Sequence, residues 1–522
     1  MKIERSKNAA RNIIFGVIMK IYQILIPFIM RTIIIYFLGM EYAGLNSLFT
    51  SVLQILNLAE LGVGSAMVFS MYEPIAKDDV KQICELMQLY KVYYRIIGLI
   101  IGVIGIGLLP FIPYFVKKDI PPELNIYILY LLNLGTTVFT YWLYAYKNSL
   151  LNAHQREDVI SKINLFLNSV QYGLQIIVLV FWKNYYAFLI IALVSQVVVN
   201  ITISLIVNRM YPQYHAEGKL EDGKKRQINQ RIRDLFTSKV GNVILRSADT
   251  VVISSFLGLT VLGIYQNYYY IINALMGIAT IIFNSCLAGI GNSLLTESKE
   301  KNLKDLNIFT LLIVWLAGWS CVCLICLFQP FIQIWVGKEN LLGIGVVVCL
   351  AVYFFITEIN QLLNVFKDAA GIWHEDKWRP LVTAVVNLVL NIMTINYLGV
   401  YGVVLSTVIS LLVVGMPWLL HNIFTVLFPK KELKCYLINL LKYSIVVIVV
   451  CAITFYINSF IDGISVYLIL MLRFVVCLVV PNVMFLIFFY RNDNFKSCIR
   501  LIDKITKHKI KILGKGSDKN AN

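Results

Sequence analysis

Two apolar segments carry basic side chains at helical spacing. These residues are the strongest candidates in the chain for a binding site. In each segment the stripe follows steps of three, four and four residues, which places its members on one face of a helix. They are Lys20, Gln23, Pro27 and Arg31 in the first segment, and Lys239, Asn242, Arg246 and Thr250 in the second. A charge at the centre of a bilayer costs at least about 2.5 kcal/mol, so each such charge has to face water, a partner or a substrate.

The charged residues inside the apolar segments give the interior a basic balance. The basic ones are Lys20, Arg31, Arg246, Lys442 and Arg473, and the acidic ones are Glu60, Asp249 and Glu358. Five against three leaves +2, which favours an anionic ligand. Because guanidinium groups bind phosphate in bidentate fashion, we expect a phosphorylated or pyrophosphorylated substrate. Two structural alternatives stay open, a Lys20 that snorkels to the surface and an ion pair between Arg246 and Asp249.

The segment after each basic stripe carries a second stripe of mostly neutral polar residues. These are Ser47, Ser51, Gln54, Asn57 and Glu60 after the first, and Gln266, Tyr270, Asn273, Thr280 and Asn284 after the second. A helix that faces only lipid has no use for such a stripe. We therefore expect the four helices to line one polar cavity, with hydrogen bonding between helices as the alternative for the neutral residues.

Sequence markers recur along the chain at a spacing of 219 or 220 residues. The matching pairs are Gly39 and Gly258, Gly44 and Gly263, Pro110 and Pro330, Val116 and Val336, and Asn168 and Asn387. A shared offset across distant markers predicts two similar halves. Six predicted spans separate a marker from its copy, and because six is even, both halves have the same orientation.

Composition identifies a polytopic membrane protein of the all-α class. The chain is 59% hydrophobic and 14% charged, whereas a soluble globular protein has about 25% charged residues. Runs of about 20 apolar residues are long enough to cross a bilayer as helices. We predict fourteen, at 12–38, 41–70, 90–116, 124–148, 159–182, 186–208, 238–257, 262–295, 308–329, 341–366, 379–399, 401–428, 436–458 and 464–490.

The basic residues predict the orientation in the membrane. With the N-terminus inside, 37 of the 46 Lys and Arg fall on the cytoplasmic side, four fall outside and five lie within spans. Positive charge marks the cytoplasmic side, so both termini are predicted to be cytoplasmic. The net charge of +17 is thereby explained as a topology signal, and no nucleic-acid partner is expected.

The repeat and the spans together predict the domain organisation. We expect an N-terminal lobe of six helices at 1–208, a basic cytoplasmic linker at 209–236 and a C-terminal lobe of six helices at 237–428. Two appended helices at 429–490 and a basic cytoplasmic tail at 491–522 have no counterpart in the repeat.

The motifs of enzymes and of cofactor sites are missing. Cys321, Cys323 and Cys326 do not converge on a helix and have no His or carboxylate nearby, so they are read as buried apolar residues and no metal is expected. The chain contains no phosphate-binding G-x-x-x-x-G-K-[ST] loop. The predicted external loops are too short for a catalytic domain. We expect neither a catalytic residue nor a cofactor.

Several stretches resemble the bacterial oligosaccharide flippases, the Wzx-type polysaccharide transporters. Residues 38–46 read LGMEYAGLN, 58–66 read LAELGVGSA, 238–242 read SKVGN and 263–268 read GIYQNY. These transporters belong to the multidrug, oligosaccharidyl-lipid and polysaccharide exporter superfamily. The resemblance covers about residues 1–430, and 38–73 is its most specific part.

The resemblance implies two six-helix lobes that alternate access across the bacterial cytoplasmic membrane. Family members move undecaprenyl-pyrophosphate-linked oligosaccharides from the inner to the outer leaflet for capsule, exopolysaccharide or other cell-surface glycans. It implies that Arg31, Arg246 and Lys20 bind the pyrophosphate. Sugar hydroxyls would then meet Gln54, Asn57, Asn242 and Asn273 in the cavity.

A coupling ion and further partners also follow from the resemblance. Glu60 and Asp249 are candidates for carrying a coupling ion. Relatives often have Thr-Asp-Asn where this chain has Ala248-Asp249-Thr250, so only the Asp matches. Besides the lipid bilayer and the lipid-linked cargo, a polysaccharide polymerase and glycosyltransferases are expected partners.

Three other functions stay open at this point. An exporter of cationic drugs would share the fold but would need an acidic cavity. A membrane-embedded polymerase or glycosyltransferase would form glycan itself. A flippase for the peptidoglycan precursor is closely related to the favoured function.

Overall fold

The structure, a computed structural model, describes residues 5–60, 62–116 and 120–505. In these residues all regular secondary structure is helical, which confirms the all-α class. The α-helices are α1 (Arg5–Phe37), α2 (Met40–Leu56), α3 (Val63–Ala76), α4 (Val80–Leu108), α5 (Ile126–Trp142), α6 (Asn148–Ala153), α7 (Glu157–Phe181), α8 (Tyr185–Met210), α9 (Asp222–Leu257), α10 (Leu259–Thr296), α11 (Lys299–Val336), α12 (Ile344–Ala369), α13 (Arg379–Ser410), α14 (Met416–Val426), α15 (Lys431–Ser459), α16 (Val466–Phe489) and α17 (Asp493–Ile505).

Each of the fourteen predicted spans falls on this set of helices. Twelve stretches of the described chain are long and apolar enough to cross a membrane. Two further spans account for the difference. Helix α5 is apolar but only 17 residues long, and the predicted spans 379–399 and 401–428 form one continuous stretch with a break at Gly399.

The predicted linker is partly helical. Helix α9 begins at Asp222, so residues 222–236 form the first turns of a 36-residue helix rather than a loop. Asp222 lies in the first turn, where a negative charge is favourable because the backbone N–H groups there have no partner within the helix. The linker without helix is thus confined to residues 211–221.

Contacts group the chain into two compact units, and each is described separately. Unit 1 comprises Met1–Gln266 together with Leu388–Gly399, and unit 2 comprises Asn267–Asn387 together with Val400–Asn522. In unit 1, α1 packs on α7, α2 packs on α9, and α4 and α8 both pack on α5. The C-terminal part of α9 and the first turns of α10 therefore belong to the same unit as α1 and α2.

Helix α11 organises unit 2. It packs against α12, α15, α16 and α17, so the appended helices are part of the core of this unit. The ring of Trp315 on α11 stacks on Phe495 of α17, with centroids 5.5 Å apart, and its indole N–H donates to Asn482 of α16 at 2.9 Å. The N-terminal part of the basic tail is thereby fixed to the bundle through Phe495.

The repeat is visible in the backbone of unit 1. Gly39 separates α1 from α2 with φ 119° and ψ 172°, and Gly258 separates α9 from α10 with φ 97° and ψ 172°. Side chains with a Cβ rarely adopt such positive φ values, so glycine is required at both breaks. The two glycines lie 219 residues apart, and the predicted offset therefore repeats the same helix–break–helix geometry.

A second pair of glycines brings the two copies into contact. A Cβ on Gly44 of α2 would collide with the carbonyl oxygen of Leu259, and a Cβ on Gly263 of α10 would collide with that of Met40. Met40 and Leu259 are themselves repeat mates, so the crossing is symmetrical. The missing side chains allow the backbones of α2 and α10 to touch.

We predict that Gly44→Ala and Gly263→Ala each lower the thermal unfolding temperature of the detergent-purified protein. The added methyl group meets backbone rather than a flexible side chain, and overpacking of this kind costs about 1–3 kcal/mol. Gly107→Ala on α4 is the matched control because its Cβ would meet no atom within 4 Å. It should be neutral or stabilising, since alanine favours a helix over glycine. Equal unfolding temperatures for all three variants would contradict the close crossing.

Candidate functional site

Arg31 lies near the end of α1 and connects three segments of unit 1. Its side chain is half-buried. Nη2 donates to the carbonyl oxygen of Gly263 at 2.8 Å, and Nη1 donates to Ser47 Oγ at 3.2 Å. Because the guanidinium holds its N–H donors in a fixed planar fork, these two contacts set its orientation. The structure thus holds a positive charge in place within a membrane-length helix.

The second copy of the repeat has the same contact with neutral partners. Thr250 is the repeat mate of Arg31, and Gln266 is the mate of Ser47. Gln266 Nε2 donates to Thr250 Oγ1 at 2.9 Å. The side-chain contact between the two stripes is therefore conserved in geometry between the halves, while its positive charge occurs in one of them. At the position of Arg31 and its repeat mate Thr250, the duplicated fold therefore has one guanidinium group and not two.

Asp249 is buried beside this contact. Asn391 of α13 donates from Nδ2 to Asp249 Oδ1 at 2.7 Å, and both side chains are buried. The ion pair between Arg246 and Asp249, an alternative that the sequence left open, is not found among the described residues. Asp249 has the neutral amide of Asn391 as one partner, and Arg246 is exposed one turn earlier on α9.

The other predicted ligands of the pyrophosphate and the sugar are not gathered around Arg31 by hydrogen bonds. Lys20 and Asn57 are half-buried, whereas the remaining members of the group are exposed. Those exposed residues are Gln54, Asn242 and Arg246 in unit 1, and Asn273 in unit 2. In the described part of the chain these side chains form no ion pair. Their roles as ligands stay predictions.

Asn57 and Glu60 lie where the second span departs from α-helical geometry. A 3-10 segment, Asn57–Glu60, follows α2. Tyr141 donates its hydroxyl to Asn57 Oδ1 at 3.2 Å, and Tyr94 donates to Glu60 Oε1 at 3.0 Å. Tyr90 in turn donates to the Tyr94 hydroxyl at 2.7 Å. Glu60 is therefore the acceptor at the end of a chain of two tyrosines.

The partners of the predicted residues could not be read from the sequence. Asn391 and Tyr94 come from distant helices, and linear spacing does not show which distant side chains meet. One weak signal existed for the amide. Asn391 lies four residues after the repeat marker Asn387 in a largely apolar span. Such a polar pair on one helix face is typical of a helix that packs against other polar groups.

Comparison with known proteins assigns the family. Residues 9–288, which are 280 of the 522, match the family described as "Polysaccharide biosynthesis protein". The chain belongs to that family. The resemblance of its sequence to Wzx-type polysaccharide transporters is thereby confirmed. No curated protein matches the chain.

The chain is similar to solved structures of transporters. The lipid II flippase MurJ in an inward closed conformation is 16% identical, with a TM-score of 0.66 over 92% of this chain and 99% of that chain. An outward-facing multidrug resistance MATE transporter of the MOP superfamily is 16% identical, with a TM-score of 0.49 over 82% and 96%. A MOP superfamily transporter from Pyrococcus furiosus is 15% identical, with a TM-score of 0.47 over 82% and 96%. At these identities the MurJ likeness shows the fold.

We predict that Arg31→Ala lowers the unfolding temperature of the purified protein more than Arg246→Ala does. Arg31 makes two hydrogen bonds from a charged donor, each worth about 1.5–3 kcal/mol. Arg246 is exposed, and exposed substitutions usually stay within about 0.5 kcal/mol. Thermal unfolding in detergent measures the difference, and an Arg246→Ala variant that is the less stable of the two would contradict the contacts of Arg31.

Proposed function

We propose that the protein is a flippase that moves a polyprenyl-pyrophosphate-linked oligosaccharide from the inner to the outer leaflet of the bacterial cytoplasmic membrane. The product would serve the synthesis of capsule, exopolysaccharide or another cell-surface glycan. Membership of the polysaccharide biosynthesis family and the MurJ-like fold support this function. The observation that carries it is the half-buried guanidinium of Arg31, oriented within a membrane-length helix by Ser47 and the Gly263 carbonyl.

Arg31 would bind the pyrophosphate together with Arg246 and Lys20. A guanidinium whose fork is already oriented loses less side-chain entropy when it forms bidentate hydrogen bonds with a phosphate. Arg246 is exposed and Lys20 is half-buried, so both retain freedom to adjust to the headgroup. Gln54, Asn57, Asn242 and Asn273 would meet sugar hydroxyls, while the polyprenyl tail stays in lipid. The protein would perform no covalent chemistry.

The membrane potential would supply free energy for moving this cargo. Moving one elementary charge across 100 mV is worth about 2.3 kcal/mol. A pyrophosphate diester is negatively charged, so a membrane potential that is negative inside favours its movement outward. A coupled cation is the alternative source. Glu60 and Asp249 would carry it.

Alternating access requires two lobes, and we retain the predicted division at 1–208 and 237–428, with both termini cytoplasmic. Glycosyltransferases would supply the cargo at the cytoplasmic face. A polysaccharide polymerase would consume it on the outside.

An exporter of cationic drugs, the alternative with the same fold, is disfavoured by the excess of basic over acidic residues inside the predicted spans.

We predict that Arg31→Ala, Arg246→Ala and the double variant abolish glycan export while the protein still inserts into the membrane. Loss of the guanidinium removes a bidentate contact to the pyrophosphate. Surface glycan and the lipid-linked intermediate of the inner leaflet are measured in cells that carry each variant. Lys442→Ala on α15 is the control, because Lys442 is an exposed charge of an appended helix. Full export by the double variant would rule out this role of the arginines.

A further inference from the structure

A polar cavity of about 680 Å³ lies within unit 1, apart from Arg31. Its walls come from α3, α4, α5, α6 and the start of α7. Its lining includes Glu60, Tyr72, Tyr90, Tyr94, Tyr141 and Asn148. The volume falls in the range of about 300–1,000 Å³ that small-molecule sites occupy. In the predicted orientation the cavity lies in the cytoplasmic half of the N-terminal lobe.

Hydroxyl, carboxyl and amide groups line the inner part of the cavity. The Tyr90, Tyr94 and Glu60 chain fixes one wall, with oxygen–oxygen distances of 2.7 and 3.0 Å. On another wall, Oδ1 of Asn148 is buried and has no hydrogen-bond partner among the described residues. A buried acceptor without a partner costs about 1–3 kcal/mol. A ligand that brings a hydroxyl donor to Asn148 would remove that cost.

Aromatic rings form the rim. Phe69 and Tyr72 are 57% and 46% exposed and lie edge to face with centroids 6.1 Å apart. Further in, Tyr94 packs against Tyr141 at 5.5 Å. Ring faces at a mouth and hydroxyl groups at its base suit a molecule with an apolar C–H face and a periphery of hydroxyls. A hexopyranose has that character.

The charges around the cavity argue against an organic cation as the occupant. Glu60 and Glu157 are the acidic residues of its lining. The guanidinium of Arg231 lies 4.5 Å from the centre of the Phe69 ring at the rim. A cation therefore already lies at the mouth of the cavity. A site for a cationic drug would instead need an uncompensated negative charge.

We propose that this tyrosine cavity binds a hexopyranose residue of the oligosaccharide cargo. The inference rests on the proposed function for the source of the sugar. It assigns recognition of that sugar to Glu60 of the polar stripe together with Tyr94, Tyr141 and Asn148, which lie outside both stripes. Glu60 would accept a hydrogen bond from a sugar hydroxyl, as would Asn148. Tyr94, whose hydroxyl donates to Glu60, and Tyr141 line the same cavity.

Saturation-transfer difference NMR on the full-length protein in nanodiscs tests this site directly. The probes are free glucose, galactose, N-acetylglucosamine, N-acetylgalactosamine, rhamnose and glucuronic acid, with tetraphenylphosphonium as the organic cation. We expect a signal from at least one sugar, reduced at least fivefold in the Glu60→Gln, Tyr94→Phe double variant. Tyr130→Phe is the matched control, because this buried tyrosine of α5 donates to the Gly105 carbonyl away from the cavity.

Each outcome decides for or against the cavity. No sugar signal, or a signal that the double variant leaves unchanged, would overturn the inference, as would saturation of tetraphenylphosphonium alone. Circular dichroism and unfolding temperature confirm that the variants fold, and a single Asn148→Ala variant gives a second test if the double variant does not. Failure of the proposed function is separate, since it would show as glycan export that persists without Arg31 and Arg246.

Discussion

The structure depends on a charged guanidinium that must remain hydrogen-bonded within a membrane-length helix. Arg31 meets this requirement through the carbonyl of Gly263, which belongs to the other copy of the repeat. That carbonyl is within reach because the backbones of α2 and α10 touch where Gly44 and Gly263 lack side chains. The glycine pair and the arginine therefore act together, because close backbone packing brings a carbonyl acceptor to a half-buried cation.

The two copies of the repeat share the same helix geometry, but they differ in charge at one matching position. The contact between Arg31 and Ser47 returns in the second copy as a contact between Thr250 and Gln266. An exact duplicate would place two guanidinium groups at this level, where they would repel each other. Because Thr250 stands in the second copy, the helices keep their symmetry while that copy has no positive charge at this position. Asp249, bound to Asn391, adds a carboxylate on the second copy alone.

The helices and the repeat could be predicted from the sequence, because each shows as a pattern along the chain and needs no knowledge of which distant residues meet. Apolar run length places the helices, and the constant offset of Gly39 and Gly258 identifies the copied break. The helical start of α9 was missed, because its polar, charged residues resemble a linker in composition. The partners of Glu60 and Asp249 were missed for a different reason. Tyr94 and Asn391 lie 34 and 142 residues away from them, and only packing brings them together.

The central claim is that an oriented cation in a duplicated bundle allows a pyrophosphate headgroup to cross the membrane. Reconstituted proteoliposomes test it most directly, with undecaprenyl-pyrophosphate-linked oligosaccharide in one leaflet and a glycosidase or lectin confined to the other side. We expect the protein to expose the oligosaccharide to the reagent. The rate of exposure should rise when the side that holds the reagent is made electrically positive. Vesicles in which the lipid-linked sugar stays protected, while an organic cation such as tetraphenylphosphonium is transported, would contradict it.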